Sequence, residues 1–166
     1  NYTIQANGVA DVYYKIDTKA ATNWGNVNYQ ATVKCNGTAA STKLYVNCMI
    51  IDDFSSLTKE QKNKAPMVVA KSSSYNFGEI KAGEEVTARF ELLNRGYSPL
   101  KIYRIYDDRN ALDIKAPQSV NASTGFEIEA KVRNTSKAGN PIYTITLVTN
   151  SPARPLINLF ITGKIK

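Results

Sequence analysis

Phe90-Glu91-Leu92-Leu93-Asn94-Arg95-Gly96-Tyr97-Ser98-Pro99-Leu100-Lys101-Ile102 decides the fold. Its first half alternates, with Phe90 and Leu92 on one side and Glu91 on the other, the period of a strand with one wet face. Asn94, Gly96 and Pro99 then supply turn chemistry, and Leu100 with Ile102 resumes the alternation. The same reading extends upstream to Val86 and Ala88, which share a face with Phe90 and Leu92. Downstream, Phe126, Ile128, Ala130 and Val132 face inward while Glu127, Glu129, Lys131 and Arg133 face out. Tyr143, Ile145, Leu147 and Thr149 form a third set, and Ile157, Leu159 and Ile161 a fourth. Turns at Lys81-Ala82-Gly83, Lys137-Ala138-Gly139-Asn140 and Asn150-Ser151-Pro152 separate them. Strands of this length, repeating over about a hundred residues, predict an all-β immunoglobulin-like sandwich across 67–166.

The chain of 166 residues contains one helical signal. Thr58 followed by Gln61 has capping-box spacing, and Ala65-Pro66 stops the helix. Residues 52–66 are therefore read as a linker holding a short helix. The first fifty-one residues resemble the end of the second half. Val12, Tyr14 and Ile16 fall under Ile128, Ala130 and Val132; Gly25 falls under Gly139; Ala31, Val33 and Asn36 fall under Ile145, Leu147 and Asn150. Leu44, Val46 and Cys48 fall under Ile157, Leu159 and Ile161. Residues 1–51 are thus expected to be the C-terminal strands of a second, incomplete sandwich, its first strands removed or lying ahead of Asn1.

Residues 75–166 resemble a bacterial Ig-like domain of unknown function found in Bacteroidetes envelope proteins, akin to abnormal-spindle/Hydin-type domains. The residues that carry the resemblance are Tyr75-Asn76-Phe77-Gly78-Glu79-Ile80, Gly83-Glu84, and the Asn94-x-Gly96-x-x-Pro99-Leu100-x-Ile102 turn. Val148-Thr149-Asn150-Ser151-Pro152 and Phe160-Ile161-Thr162-Gly163 close the pattern. The resemblance implies the sandwich and a secreted, periplasmic or cell-envelope location; it carries no activity. Many relatives have Cys-Gly-Cys where this chain has Tyr106-Asp107-Asp108-Arg109-Asn110, so no redox or metal role transfers.

Composition narrows the chemistry. The sequence has no histidine, which removes the usual general base and every His-dependent triad. Its net charge of +7 is spread without a basic run or nucleic-acid motif, so no nucleic-acid partner is expected, and no segment is apolar for long enough to span a membrane. Asp107, Asp108, Asn110 and Asp113 could offer oxygen ligands to Ca²⁺, although a polar loop is the ordinary reading; Asp52-Asp53 could join them or cap the helix. Glu127 with Glu129, and Glu84 with Glu85, are carboxylate pairs, but on a wet strand face and in a turn. With a hairpin loop near Gly37–Thr42, Cys48 falls opposite residue 31, about 13 Å from Cys35 at strand rise and too far for a disulfide; two free thiols are expected. Tyr97, Tyr103 and Tyr106, with Trp24, could form an aromatic binding surface.

These readings describe a non-catalytic Ig-like structural, adhesion or binding module without a cofactor. Its expected partner is a protein or a glycan. A carbohydrate-binding accessory module using surface tyrosines is the alternative, and a hydrolase is disfavoured.

Overall fold

The computed structural model describes residues 3–18, 23–34, 41–107 and 109–166, which divide between two compact units, Asn1–Ile50 and Ile51–Lys166.

In the first unit, β1 (Gly25–Lys34) and β2 (Ser41–Ile50) form an antiparallel two-stranded sheet. Val12, Tyr14 and Ile16, expected on a strand, lie in a stretch with no strand assignment. Strand geometry there would require a ladder partner, and Val12 is instead 60% exposed. The hairpin register also differs from expectation. Cys48 faces Val27 rather than residue 31, because Ser41 and Thr42 still belong to the ladder, opposite Lys34 and Val33. Cys48 is a half-buried free thiol, while Cys35 and Asn36 lie outside the described residues.

The second unit begins with α1 (Lys59–Lys64), capped as expected. The Thr58 hydroxyl accepts the Gln61 amide at 3.2 Å, and the Gln61 side chain accepts the Thr58 amide at 2.8 Å. The strands follow: β3 (Val68–Ala70), β4 (Ser74–Ile80), β5 (Thr87–Asn94), β6 (Leu100–Tyr106), β7 (Leu112–Lys115), β8 (Ser119–Val120), β9 (Thr124–Val132), β10 (Ile142–Thr149) and β11 (Leu156–Ile165). They make two layers, a five-stranded sheet in the order β4-β11-β10-β6-β8 and a four-stranded sheet in the order β3-β5-β9-β7. All pairs are antiparallel except β4 with β11. This is an immunoglobulin-like sandwich. Val86, Ala88, Phe90, Leu92, Ile128, Ala130 and Val132 meet Ile145, Leu147, Leu159 and Ile161 in the core, the inward sets that alternation defines. Gly163 is held to glycine by contact, since a Cβ there would overlap the Phe77 ring.

Asn94 ends β5 fully buried, with its amide spent on three separate segments. Its oxygen accepts the amides of Met67 and Gly96, both at 3.2 Å. Its nitrogen reaches the carbonyls of Ser98 at 2.9 Å, Asn121 at 3.0 Å and Val120 at 3.3 Å. Gly96 lies so close to the chain leading into β3 that a Cβ would come within 2.6 Å of the Met67 nitrogen. The end of the 52–66 segment is also bonded to the sandwich. The Ser98 hydroxyl donates to the Lys64 carbonyl at 2.6 Å and the Ser151 hydroxyl to the Pro66 carbonyl at 2.8 Å, tying the end of that segment to the sandwich.

Truncating this amide strands the buried Gly96 N–H and the part-buried Met67 N–H and uncovers the turn carbonyls. Asn94→Ala is therefore expected to lower unfolding free energy by about 2–4 kcal/mol, with Gly96→Ala comparably damaging, read by urea denaturation. A loss near that of an ordinary surface substitution would refute the role given to the amide.

Candidate functional site

A sandwich with open sheets must manage the backbone groups at its edges. Here the outer strands are short or distorted. β3 has three residues and β7 four, and β4 has a shifted register against β11 near Gly78, whose φ is +72°. β8 has two residues and pairs only with Leu100 and Lys101 of β6. The Ile102 amide still donates to the Gln118 carbonyl at 2.9 Å. Beyond it, β6 runs on to Tyr106 with no described strand along its outer edge.

The inner edge of β6 pairs with β10 through a bulge. Val148 faces Arg104 and Thr149 faces Ile102, leaving Tyr103 as the extra residue. The bulge explains why the core-packed residues of this strand, Leu100, Ile102 and Ile105, are spaced by two and then by three. Past the bulge, Arg104 and Tyr106 share a face at strand spacing, with the guanidinium 4.3 Å from the ring centroid, a cation–π contact. Beside this stretch lies an open groove of about 750 Å³ between β6 and the segment Ile114–Ser119. Ile102, Ile105, Ile114 and Ala116 supply its apolar wall, and Lys101 and Arg104 its charge. Sequence reasoning singled out the strand's tyrosines but missed these groove residues. The uneven spacing Leu100-x-Ile102-x-x-Ile105 is the signal that marks them.

The aromatic residues singled out from sequence have different local settings. Tyr97 stands in the turn after β5 and is 78% exposed. Tyr103 is half-buried and its hydroxyl donates to Asp52 Oδ2 at 2.6 Å. Tyr106 carries Arg104 on its ring, and Trp24 belongs to the first unit, half-buried just before β1. Asp52 and Asp53 do not cap α1, since Thr58 does so. Asp52 instead holds Tyr103 and Asp53 accepts the Ser55 amide, and a cleft of about 750 Å³ opens beside them, lined by Leu57, Lys64, Lys101 and Tyr103 among others.

The acidic loop after β6 is likewise committed elsewhere. Asp107 Oδ2 accepts the Ala111 and Leu112 amides. Arg133 donates to Asp113 at 2.8 Å and to the Asn110 side chain at 2.9 Å, and Asp108 lies outside the described residues. No group of three Cys, Asp or Glu side chains converges to hold a metal ion among the described residues. Glu129 bonds Lys115 at 3.1 Å and Arg89 at 3.0 Å. Its carboxyl is held below the usual range first by the Lys115 hydrogen bond, then by Lys115 charge, with Arg89 adding. A glycosidase acid needs the opposite shift.

Burial, then the hydrogen bond to Asp52, raises the Tyr103 phenol from 10.0 to about 12. The fold thus favours the neutral phenol; that contribution is complete below pH 10 and lost as pH rises through about 12. Burial also raises Tyr143. In a phenolate absorbance titration, Tyr103→Phe should remove one late-ionising tyrosine, and Asp52→Asn should bring that tyrosine's transition to lower pH. An unchanged late phase in both variants would contradict the assignment.

With the geometry in place, comparison with known proteins is informative about fold and lineage. A solved protein of unknown function from Porphyromonas gingivalis W83 is similar, with 18% identity and a TM-score of 0.65, over 86% of this chain and 66% of that one. This chain therefore spans just under two thirds of that protein's length. A PapD-like ASH domain of human CEP192 matches at 12% identity and a TM-score of 0.49, over 72% of this chain and 97% of that domain. The Vibrio cholerae VesB protease matches at 11% identity and a TM-score of 0.46, over 60% of this chain and 31% of the protease. No curated protein matches. The family model described as "Protein of unknown function (DUF1573)" matches residues 68–165, which span both sheets of the sandwich, and the chain belongs to the DUF1573 family.

Proposed function

We propose that this chain is a non-catalytic binding module that captures an extended polypeptide by strand addition to β6. One observation carries the reading: beyond the point where β8 stops, β6 borders a groove walled by Ile102, Ile105, Ile114 and Ala116. Strand addition draws its affinity from main-chain hydrogen bonds and its selectivity from pockets for alternate side chains. Ile105, Ile114 and Ala116 are placed to take such side chains. A glycan platform is less well supported, because Tyr97 is the exposed ring while Tyr103 and Tyr106 are engaged by Asp52 and Arg104. A hydrolase has less support still, given a sequence without histidine and a Glu129 held by two cations. The proposed setting is a secreted or envelope protein, which rests on the resemblance to Bacteroidetes envelope domains.

The test is a screen of extended peptides with alternating apolar residues, followed by calorimetry. N-methylation of alternate backbone amides in a bound peptide should weaken it by about tenfold or more, since two or more ladder hydrogen bonds are lost at roughly 1 kcal/mol each. Ala116→Arg, which fills the groove, should weaken it comparably, with binding compared at a temperature where a melt shows the variant folded, since Ala116 packs against the core. Equal affinity of the methylated and parent peptides would overturn the reading, as would a screen that yields no binder.

A further inference from the structure

We infer that β1–β2 is the closing hairpin of another sandwich of the same kind, and that its apolar face seats a sheet of the β3-β5-β9-β7 type carried on the same polypeptide ahead of it.

The cross-strand pairs of the two hairpins carry the inference. In the second unit, Tyr143 faces Ile161, Ile145 faces Leu159, and Leu147 faces Ile157. In the first, Val27 faces Cys48, Tyr29 faces Val46, and Ala31 faces Leu44. The β2 residues are those that align with β11 by sequence. The β1 residues stand two positions from the sequence alignment with β10, a shift that keeps every side chain on its own face. The opposite face of β1 is polar, with Asn26, Asn28, Gln30 and Thr32. On β2 that face holds Lys43 and Asn47 with the exposed Tyr45 and Met49, so it is β1 that has the one-sided pattern of a strand built to cover a core.

Burial separates the two hairpins. Ile145, Leu147, Leu159 and Ile161 are fully buried under the facing sheet. Their counterparts Tyr29, Ala31, Val46 and Cys48 are only half-buried. Two strands alone are marginal in water and need a further layer. The described residues before β1 do not supply it, since residues 3–18 contain no strand and Val9 and Tyr13 are 94% and 90% exposed. In the second unit the covering strands β3, β5, β7 and β9 all precede the hairpin in sequence, which places the missing sheet ahead of β1. The Porphyromonas gingivalis protein agrees in fold. Its match covers 86% of this chain, a share that residues 51–166 cannot supply alone, and leaves part of that longer protein unmatched.

Hydrogen exchange on the 166-residue chain and on a form extended through its upstream coding sequence tests the proposal. In the 166-residue chain, β1–β2 amides should exchange at least tenfold faster than those of β10–β11. In the extended form they should slow by about tenfold or more. Val46→Asp should abolish that gain, Asn47→Asp on the polar face should leave it, and neither should alter exchange in β10–β11. The proposal is overturned if the hairpin is already as protected as β10–β11, if extension leaves it unchanged, or if the upstream frame encodes no such strands. A dimer of the 166-residue chain that Val46→Asp dissociates would also overturn it, by naming a second copy as the occupant.

Discussion

The buried amide of Asn94 is the constraint on which the sandwich depends. One side chain satisfies the Met67 and Gly96 amides and reaches the carbonyls of Ser98, Val120 and Asn121. It therefore fixes where the chain enters β3, how β5 turns toward β6 and where β8 ends. A charged or apolar residue would leave several buried main-chain groups unpaired, a penalty that grows in a low-dielectric site. Asn150 does related work at the opposite strand junction. Its oxygen accepts the Lys101 amide at 2.7 Å and its nitrogen donates to the Pro99 carbonyl at 3.2 Å. The two asparagines together position the start of β6 from both sides.

This positioning has a functional consequence. β6 is anchored at Leu100–Ile102 and paired along one edge with β10, and the groove opens beside the rest of its length. Pairing with the short β8 stops at Lys101. The other outer strands are short or distorted, devices that natural sheets use to discourage pairing. On this description the same local features that complete the fold also leave one strand edge beside an apolar groove, and a binding edge needs no chemistry from histidine, metal or cofactor. The peptide-capture proposal rests on that juxtaposition.

The sequence was most legible where one face is wet and one is dry. Alternation in β5, β9, β10 and β11 identified the residues that fill the core, and Thr58 with Gln61 identified the helix start, because each of these signals is local. Long-range pairings were harder to read. The β1–β2 register was displaced by four residues because loop length, not face, sets it. The linker reading of residues 52–66 missed bonds to Tyr103, Ser98 and Ser151, partners far away in sequence. The tyrosines of β6 were noticed as a composition feature. Their actual settings depend on the bulge at Tyr103, on Arg104 and on Asp52, which no single-strand pattern reveals. The acidic loop was ambiguous for the same reason, since Arg133 reaches it from the end of β9.

The most direct measurement is residue-resolved hydrogen exchange across all strand edges, with and without a bound extended peptide. Strand addition at β6 requires slowed exchange within Tyr103–Tyr106 and unchanged exchange in β3, β4 and β7. Protection appearing instead around Tyr97, or in the cleft beside Asp52, with β6 unaffected, would contradict the central claim.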